Sequence, residues 1–131
     1  MKVTRIVFSP TGGTAKIAQA LTSKQDVPVD EIDLTDAKED FSAVAFARDD
    51  VAVIAVPSYG GRVPDLAAER IRRIHGSQAR CIIVCAYGNR AYEDTLLELN
   101  DVAERSGVRV IAAVGAVAWH SIMHQYAAAL A

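Results

Sequence analysis

The sequence predicts an α/β fold, a doubly wound five-stranded parallel sheet with helices on both faces. Short segments that are apolar throughout alternate with segments whose apolar residues recur at helical spacing. Strands that are apolar throughout are buried on both sides, as they are in a parallel sheet. The chain has 131 residues, which is enough for one domain with a substantial core and too few for two.

Each predicted strand is a short apolar run that a turn-forming residue closes. The clearest is 51–56, which Pro57 ends. Segment 27–34 is weaker, with Val29 and Ile32 as its apolar anchors, and we expect it near an edge of the sheet. The predicted strands are residues 3–8, 27–34, 51–56, 81–86 and 108–117.

Each predicted helix carries one apolar stripe. Pro64 begins one helix in the first position, where proline is favoured, and Gly76 is expected to end it. Gly107 is expected to end another. The remaining predictions are helices over 14–23, 92–106 and 121–130, and a loop with one or two helical turns over 35–50.

Charge and cysteine content exclude several classes of function. The formal net charge is -2, whereas a nucleic-acid-binding protein normally carries a basic excess. Cys81 and Cys85 are four apart in an extended run, about 13 Å, which is too far for a disulfide. Free thiols fit a reducing cytoplasm, and two cysteines cannot supply an iron–sulfur cluster. No stretch is long and apolar enough for a signal peptide or a membrane span.

The stretch Ser9-Pro10-Thr11-Gly12-Gly13-Thr14 lies where the first strand is predicted to turn into the first helix. The first N–H groups of a helix have no partner within it, and the helix dipole is positive there, so an anion is favoured. The hydroxyl groups of Ser9, Thr11 and Thr14 add further donors. A phosphate monoester suits this loop, and a plain glycine-rich turn capped by threonine explains it equally well.

Two further loops are predicted at the same edge of the sheet. With the strand order 2-1-3-4-5, ligands bind outside the carboxyl ends of the strands, where the order reverses between strands 1 and 3. Glycine allows a backbone to approach a ligand closely. Loops 9–14, 57–62 and 87–92 hold five of the eight glycines: Gly12, Gly13, Gly60, Gly61 and Gly88.

Other known phosphate sites do not fit the first loop. The pattern G-x-x-x-x-G-K-S/T of P-loop nucleotide-binding proteins and the dinucleotide fingerprint G-x-G-x-x-G are both absent. The loop contains no cysteine that could act as a phosphatase nucleophile. A receiver domain would carry acidic residues after the first strand, where this chain has Phe8 and Ser9.

The three loops resemble those of flavodoxins. Residues 9–14 match the flavodoxin phosphate-loop pattern S/T-x-T-G-x-T at every specified position, and 57–64 and 87–94 resemble the second and third loops of that family. Together with Trp119-His120-Ser121, they resemble most narrowly the flavodoxin half of bacterial flavodoxin–ferredoxin fusion proteins. The resemblance covers residues 3–121. It implies that 1–131 is a single flavodoxin-like domain that binds flavin mononucleotide (FMN).

The resemblance also implies which residues contact the cofactor. The first loop is expected to bind the phosphate through Ser9, Thr11, Gly12, Gly13, Thr14 and Ala15. The other two loops are expected to flank the isoalloxazine ring through Pro57, Ser58, Tyr59, Gly60, Gly61, Arg62, Ala86, Tyr87, Gly88 and Asn89. No catalytic residue and no metal site is expected.

Three of these side chains have an expected role and an alternative. Tyr59 is the first choice for stacking on the ring, although an aromatic residue at a strand end often only packs on the core. Asn89 is expected to bond the pyrimidine edge of the flavin, or to act as a turn residue after Gly88. Arg62 is expected either near the ring, stabilising a reduced anionic flavin, or in a surface ion pair with Asp65.

The first predicted function is an FMN-binding electron-transfer protein with a redox partner protein such as a ferredoxin module. The alternatives are an FMN-dependent oxidoreductase acting on a small substrate such as a quinone, and a flavodoxin fold without redox activity. In a redox protein the flavin supplies the chemistry. A backbone group at Gly60 or Gly61 is expected to bond the flavin N5 when that atom is protonated.

Two features depart from the resemblance. Typical flavodoxins are strongly acidic, whereas this chain is nearly neutral, so docking on a basic partner by charge alone is not expected. The sequence has no cysteine-rich ferredoxin module after its alanine-rich tail, so we expect a free-standing domain or a piece of a longer protein. The final helix is poor in large apolar residues and is expected to leave part of one sheet face uncovered, which would favour a homodimer.

Overall fold

Five strands and three α-helices form the part of the chain that the computed structural model describes, residues 1–23, 26–87 and 92–117, without the side chains of 92 and 93. The strands are β1 (Val3–Val7), β2 (Val29–Asp33), β3 (Val51–Pro57), β4 (Arg80–Tyr87) and β5 (Arg109–Val117). The helices are α1 (Gly13–Thr22), α2 (Asp65–Arg72) and α3 (Tyr92–Arg105), and Phe41–Ala43 form one 3₁₀ turn. None of these helices has the length and apolar character that crossing a membrane requires.

The strands form one parallel sheet in the order β2-β1-β3-β4-β5, which confirms the predicted fold class. Val3 pairs with Val29 on one side and with Val51 on the other, so β1 lies between β2 and β3. The weak strand β2 is at an edge, as predicted. Because the order reverses between β1 and β3, the connections that follow these two strands run to opposite faces of the sheet and leave a crevice between them at its carboxyl edge.

Helices cover both faces of the sheet, and each face has its own apolar core. Ile6, Ile54 and Ile83 pack on one face together with residues of α2 and α3. The alternate residues of the strands, such as Val7 and Val53, pack on the other face against α1. Because successive side chains of a strand point to opposite faces, a strand between two helical layers is apolar at most positions.

The face that α1 covers has an open apolar groove beside that helix, within the described part of the chain. The groove has a volume of about 420 Å³, and Leu21, Val53 and Ile82 are among the residues that line it. Ile111 of β5 also lines it and is 53% exposed. The predicted final helix, 121–130, lies outside the described residues, and the homodimer stays a prediction.

Of the two glycines predicted to end helices, one does so and the other does not. Gly76 does not end α2, because that helix stops at Arg72. A side chain at Gly76 would place its Cβ 2.3 Å from the backbone nitrogen of Val108, so glycine is needed there for close packing. Gly107 ends α3 as predicted, with φ of 98° and its N–H donating to the carbonyl of Glu104.

The two cysteines lie in β4, and both are free and buried, as predicted. Burial raises the pKa of Cys81 and of Cys85 to about 12. Both thiols are therefore neutral at physiological pH and are poor nucleophiles.

Candidate functional site

Two aromatic rings lie together at the carboxyl edge of the sheet, one after β1 and one after β3. Phe8 follows β1 and Tyr59 follows β3, and their ring centroids lie 6.4 Å apart with the planes at 76°. Phe8 is buried in the core, whereas Tyr59 is 50% exposed. A large aromatic ring is therefore held at the edge of the sheet with half of its surface free for another molecule.

The first loop leaves backbone donors free at the start of α1. Gly12 precedes the helix in a left-handed conformation, with φ of 91°, and no side chain caps the helix. The first helical hydrogen bond runs from the N–H of Lys16 to the carbonyl of Gly12. Within the described part of the chain, the N–H groups of residues 11–14 form no hydrogen bond of ordinary length and angle.

The surroundings of these donors suit an anion. The first turn of α1 contains no acidic residue, and a Cβ added at Gly12 would meet nothing within 4 Å. Thr11 is exposed at the tip of the loop, and Thr14 is buried behind it. Free N–H groups, the positive end of a helix dipole and open space together are what a phosphate group requires.

Ser9 and Ala15 are hydrogen-bonded to each other within this loop. The N–H of Ala15 donates to Ser9 Oγ at 3.0 Å, which closes the turn between strand and helix. That N–H is therefore satisfied inside the protein. The Ser9 hydroxyl hydrogen is not needed for this bond and can still point towards a ligand.

The second loop is a two-residue turn between Tyr59 and Arg62. The N–H of each donates to the carbonyl of the other, at 2.9 and 3.0 Å. Gly60 and Gly61 form the tip, with φ of 59° and 80°. A turn with positive φ at both central residues is of type I′, which glycine adopts without strain.

Neighbouring elements hold the entrance of this turn. The N–H of Ser58 donates to the carbonyl of Ala86 in β4 at 2.9 Å. The hydroxyl oxygen of Ser58 lies 2.7 Å from Thr95 Oγ1, and Thr95 is fully buried in α3. Ser58 is thus bound to the sheet by its backbone and to α3 by its side chain.

A carboxylate of α3 holds the exit of the turn. Glu98 accepts from Arg62 Nε at 3.0 Å, from Arg62 Nη2 at 2.9 Å and from the N–H of Val63 at 2.8 Å. The guanidinium, followed by the Val63 N–H, holds the pKa of Glu98 below its usual value. An ion pair is thus the alternative that the structure favours for Arg62, but its partner is Glu98 and not Asp65.

The remaining predicted residues belong to the ends of β3 and β4 and to the third loop. Pro57 ends β3 and Tyr87 ends β4, and both are partly buried. Ala86 is buried in the core beneath α1, and its carbonyl accepts the hydrogen bond from the Ser58 N–H. Gly88 and Asn89 lie outside the described residues.

Sequence reasoning missed Thr95 and Glu98. The sequence contained one usable signal for the first of them. Thr95 lies four residues before Leu99, which places a hydroxyl group in line with the inward-facing apolar residues of that helix. A polar residue at such a position needs a partner, and here the partner is Ser58.

Solved structures match this arrangement of strands, helices and loops over nearly the whole chain. A Bacillus cereus flavodoxin has a TM-score of 0.69 and 14% identity, covering 99% of this chain and 97% of its own. The chain has the flavodoxin-like fold. A Streptococcus pneumoniae flavodoxin with the same fold has a TM-score of 0.67 and 23% identity, covering 98% and 97% of the two chains.

A third structure with the flavodoxin-like fold is a Lactobacillus acidophilus flavoprotein in complex with FMN. It has a TM-score of 0.68 and 12% identity, and the match covers 87% of this chain and 92% of the other. No family model matches the sequence, and no curated protein matches it. The matched structures therefore show the fold alone.

Proposed function

We propose that the protein binds FMN at the carboxyl edge of its sheet and passes electrons through it to a redox partner protein. The observation that carries this proposal is the row of free N–H groups at residues 11–14. These groups lie on the loop that follows Phe8, and the Phe8 ring contacts Tyr59 of the second loop. One loop offers a site for a phosphate and the adjacent loop offers a site for a flat ring.

The first loop would hold the phosphate of FMN. Its donors are the N–H groups of residues 11–14 and the hydroxyls of Ser9, Thr11 and Thr14. The start of α1 adds a partial positive charge, and no carboxylate in the first turn competes with the ligand. These are the groups that bind phosphates at helix N-termini in general.

The second loop would hold the isoalloxazine ring. Tyr59 presents a half-exposed ring, and aromatic side chains stack well on flat heterocycles. Gly60 and Gly61 leave the tip of the turn without side chains, so the backbone can approach the ligand closely. When bound, FMN supplies one- or two-electron redox chemistry, and the protein supplies position and electrostatics.

Electron transfer fits the described residues of this edge better than independent catalysis does. The carboxylate of Glu98 is fully engaged by Arg62 and Val63, so it is not free to act as a general base. The buried thiols of Cys81 and Cys85 are neutral. The structural neighbours support a flavin at this edge, since flavodoxins and a flavoprotein in complex with FMN are among them.

The finer parts of the proposal concern the partner and the setting of the protein. The three loops resemble the flavodoxin half of flavodoxin–ferredoxin fusion proteins, so we place a ferredoxin module first among the partners. The free thiols fit a cytoplasmic protein. The open apolar groove beside α1 is consistent with a homodimer.

The visible spectrum of the purified protein tests the proposed function. We expect a flavin spectrum, and mass spectrometry of the small molecule released on denaturation should identify FMN. A colourless protein that does not take up added FMN would contradict the proposal and favour a flavodoxin fold without redox activity. Rapid oxidation of a reduced pyridine nucleotide by the isolated protein with a quinone would favour the oxidoreductase instead.

A further inference from the structure

We propose that Thr95 and Glu98 are positioning residues, which increase the affinity for the flavin ring by fixing the turn between Tyr59 and Arg62. This inference rests on the proposed function, because it concerns the ring end of the same FMN site. Neither residue is expected to touch the ligand. Both lie on α3 and act through residues of the second loop.

The two residues hold the two ends of one turn. Thr95 binds Ser58, which precedes the turn, and Glu98 binds Arg62 and Val63 at its exit. Residues three apart on a helix are neighbours on its surface, so a single patch of α3 contacts both ends. Relative to α3, the turn is therefore fixed at two points and not at one.

The turn depends on such fixation because its tip has no side chains. Gly60 and Gly61 cannot pack against the rest of the protein, and a Cβ at Gly60 would meet nothing within 4 Å. Glycine also has the largest backbone freedom of any residue. The residues that hold the two ends of the turn therefore help to fix Tyr59, whose ring also contacts Phe8.

Glu98 differs from an ordinary surface carboxylate. Its side chain is 25% exposed, and besides the guanidinium of Arg62 it binds the backbone N–H of Val63, a residue whose side chain is buried in the core. Exposed ion pairs contribute little to stability. A carboxylate that also accepts a partly buried backbone N–H fixes the path of the chain, because losing it leaves that donor unsatisfied.

The same helix provides a matched control. Asp101 lies three residues after Glu98 and forms an exposed ion pair with Arg105, with an Oδ2–Nε distance of 3.0 Å and side chains 62% and 67% exposed. Asp101→Asn removes one negative charge from α3, as Glu98→Gln does, but it does not affect the second loop. Any effect of net charge alone should therefore appear in both variants.

The experiment measures ligand affinity and loop protection in the wild type, Glu98→Gln and Asp101→Asn. Apoprotein is titrated with FMN and with riboflavin, and amide hydrogen exchange is followed at Arg62 and Val63. Glu98→Gln removes the charge and replaces one of the two oxygens that bind Arg62 by an NH₂ group, while its remaining oxygen can still accept the Val63 N–H. We expect it to weaken the binding of both flavins by the same factor, about three- to tenfold, and to speed exchange at Arg62 more than at Val63. Asp101→Asn should change neither quantity.

A second pair of variants tests the other end of the turn. Thr95→Val keeps the shape of the side chain but removes the bond to Ser58, whereas Thr95→Ser keeps the hydroxyl group. We expect Thr95→Val to lower the affinity for FMN and for riboflavin equally, by about three- to tenfold. Thr95→Ser should keep most of the wild-type affinity. Equal affinities in Thr95→Val and the wild type would contradict the role of Thr95.

The possible failures are distinguishable. If the wild type binds FMN and Glu98→Gln binds it equally well, the positioning role is wrong, even if exchange is faster in the variant. If Asp101→Asn weakens binding as much as Glu98→Gln, a general charge effect replaces the positioning role. If the wild-type apoprotein takes up no FMN, the proposed function itself is overturned, and this inference with it.

Discussion

The two described loops of the site use their hydrogen-bonding groups in opposite ways. The first loop leaves the N–H groups of residues 11–14 without a hydrogen bond of ordinary length and angle in the described part of the chain. In the second loop, the N–H groups of Ser58, Tyr59, Arg62 and Val63 have acceptors within the protein, and only those of the tip glycines, Gly60 and Gly61, have none in the described part of the chain. Both loops have glycine with positive φ, so glycine content alone does not distinguish them.

This contrast matches what the two ends of a flavin mononucleotide would require under the proposed assignment. A phosphate carries charge and needs donors that are free to bind it. A flat ring gains most of its affinity from contact area, so it needs a surface with a fixed shape. Backbone N–H groups that are already bonded within the protein fix that shape, but they are not available to bind an anion.

The largest effect is expected from a negative charge in the first loop. Thr11→Asp places a carboxylate beside the free N–H groups, where it repels the phosphate and competes for its donors. We expect FMN affinity to fall by about a hundredfold or more, while riboflavin, which has no phosphate, keeps its affinity. Thr11→Asn, which has the same shape and no charge, should have a much smaller effect. Titration of the apoproteins with both flavins measures this, and equal losses for the two ligands would contradict the assignment.

A smaller effect is expected at the ring end. Tyr59→Ala removes the half-exposed ring next to Phe8 and should weaken both FMN and riboflavin by about tenfold. Tyr59→Phe keeps the ring and should bind both within about threefold of the wild type. Fluorescence titration measures these values. A Tyr59→Ala protein that loses affinity for FMN alone would place Tyr59 at the phosphate end.

Glycine-to-alanine substitutions at matched positions distinguish the proposed roles of the two loops. Gly12 and Gly60 both have positive φ and open space around the missing Cβ. Each substitution should lower the free energy of unfolding by about 1–2 kcal/mol through backbone strain, as measured by urea denaturation. Only Gly60→Ala should shift the two reduction potentials of bound FMN, since only that loop is proposed to adjoin the ring. Unchanged potentials would rule out a backbone bond from this turn to N5.

The smallest effect is a dependence of stability on pH. The Arg62 guanidinium holds the pKa of Glu98 below its usual value of 4.5, so the stabilisation by ionised Glu98 is complete above that pH and is lost as the pH falls through the lowered pKa. We expect the wild type to be more stable than Glu98→Gln by at most about 1 kcal/mol at pH 7. The difference should shrink at lower pH, and urea midpoints measure it. Residues 9–15 contain no titratable side chain, so the first loop should show no such dependence.

The fold and the first loop were predictable because each depends on local sequence. Apolar runs bounded by glycine and proline predict the strands, and strand order follows from the rules of doubly wound sheets. The turn at residues 9–14 is formed by the chain segment itself, so its donors could be inferred from position alone. The edge position of β2 followed from its weaker apolar character.

The partner of Arg62 was not predictable, because it comes from a distant part of the sequence. Glu98 is 36 residues further along the chain, whereas Asp65 is close by. Only the position of α3 beside the loop that follows β3 decides between them. Gly76 is a similar case, because its need for glycine arises from close contact with Val108 and not from the end of its own helix.

The most direct test of the account is a parallel titration of the wild-type apoprotein with FMN and with riboflavin. If residues 11–14 bind the phosphate and the second loop binds the ring, FMN binds in equimolar amount and riboflavin binds more weakly, by about a hundredfold. Equal affinities for the two flavins, or no binding of FMN, would contradict the assignment of the two loops.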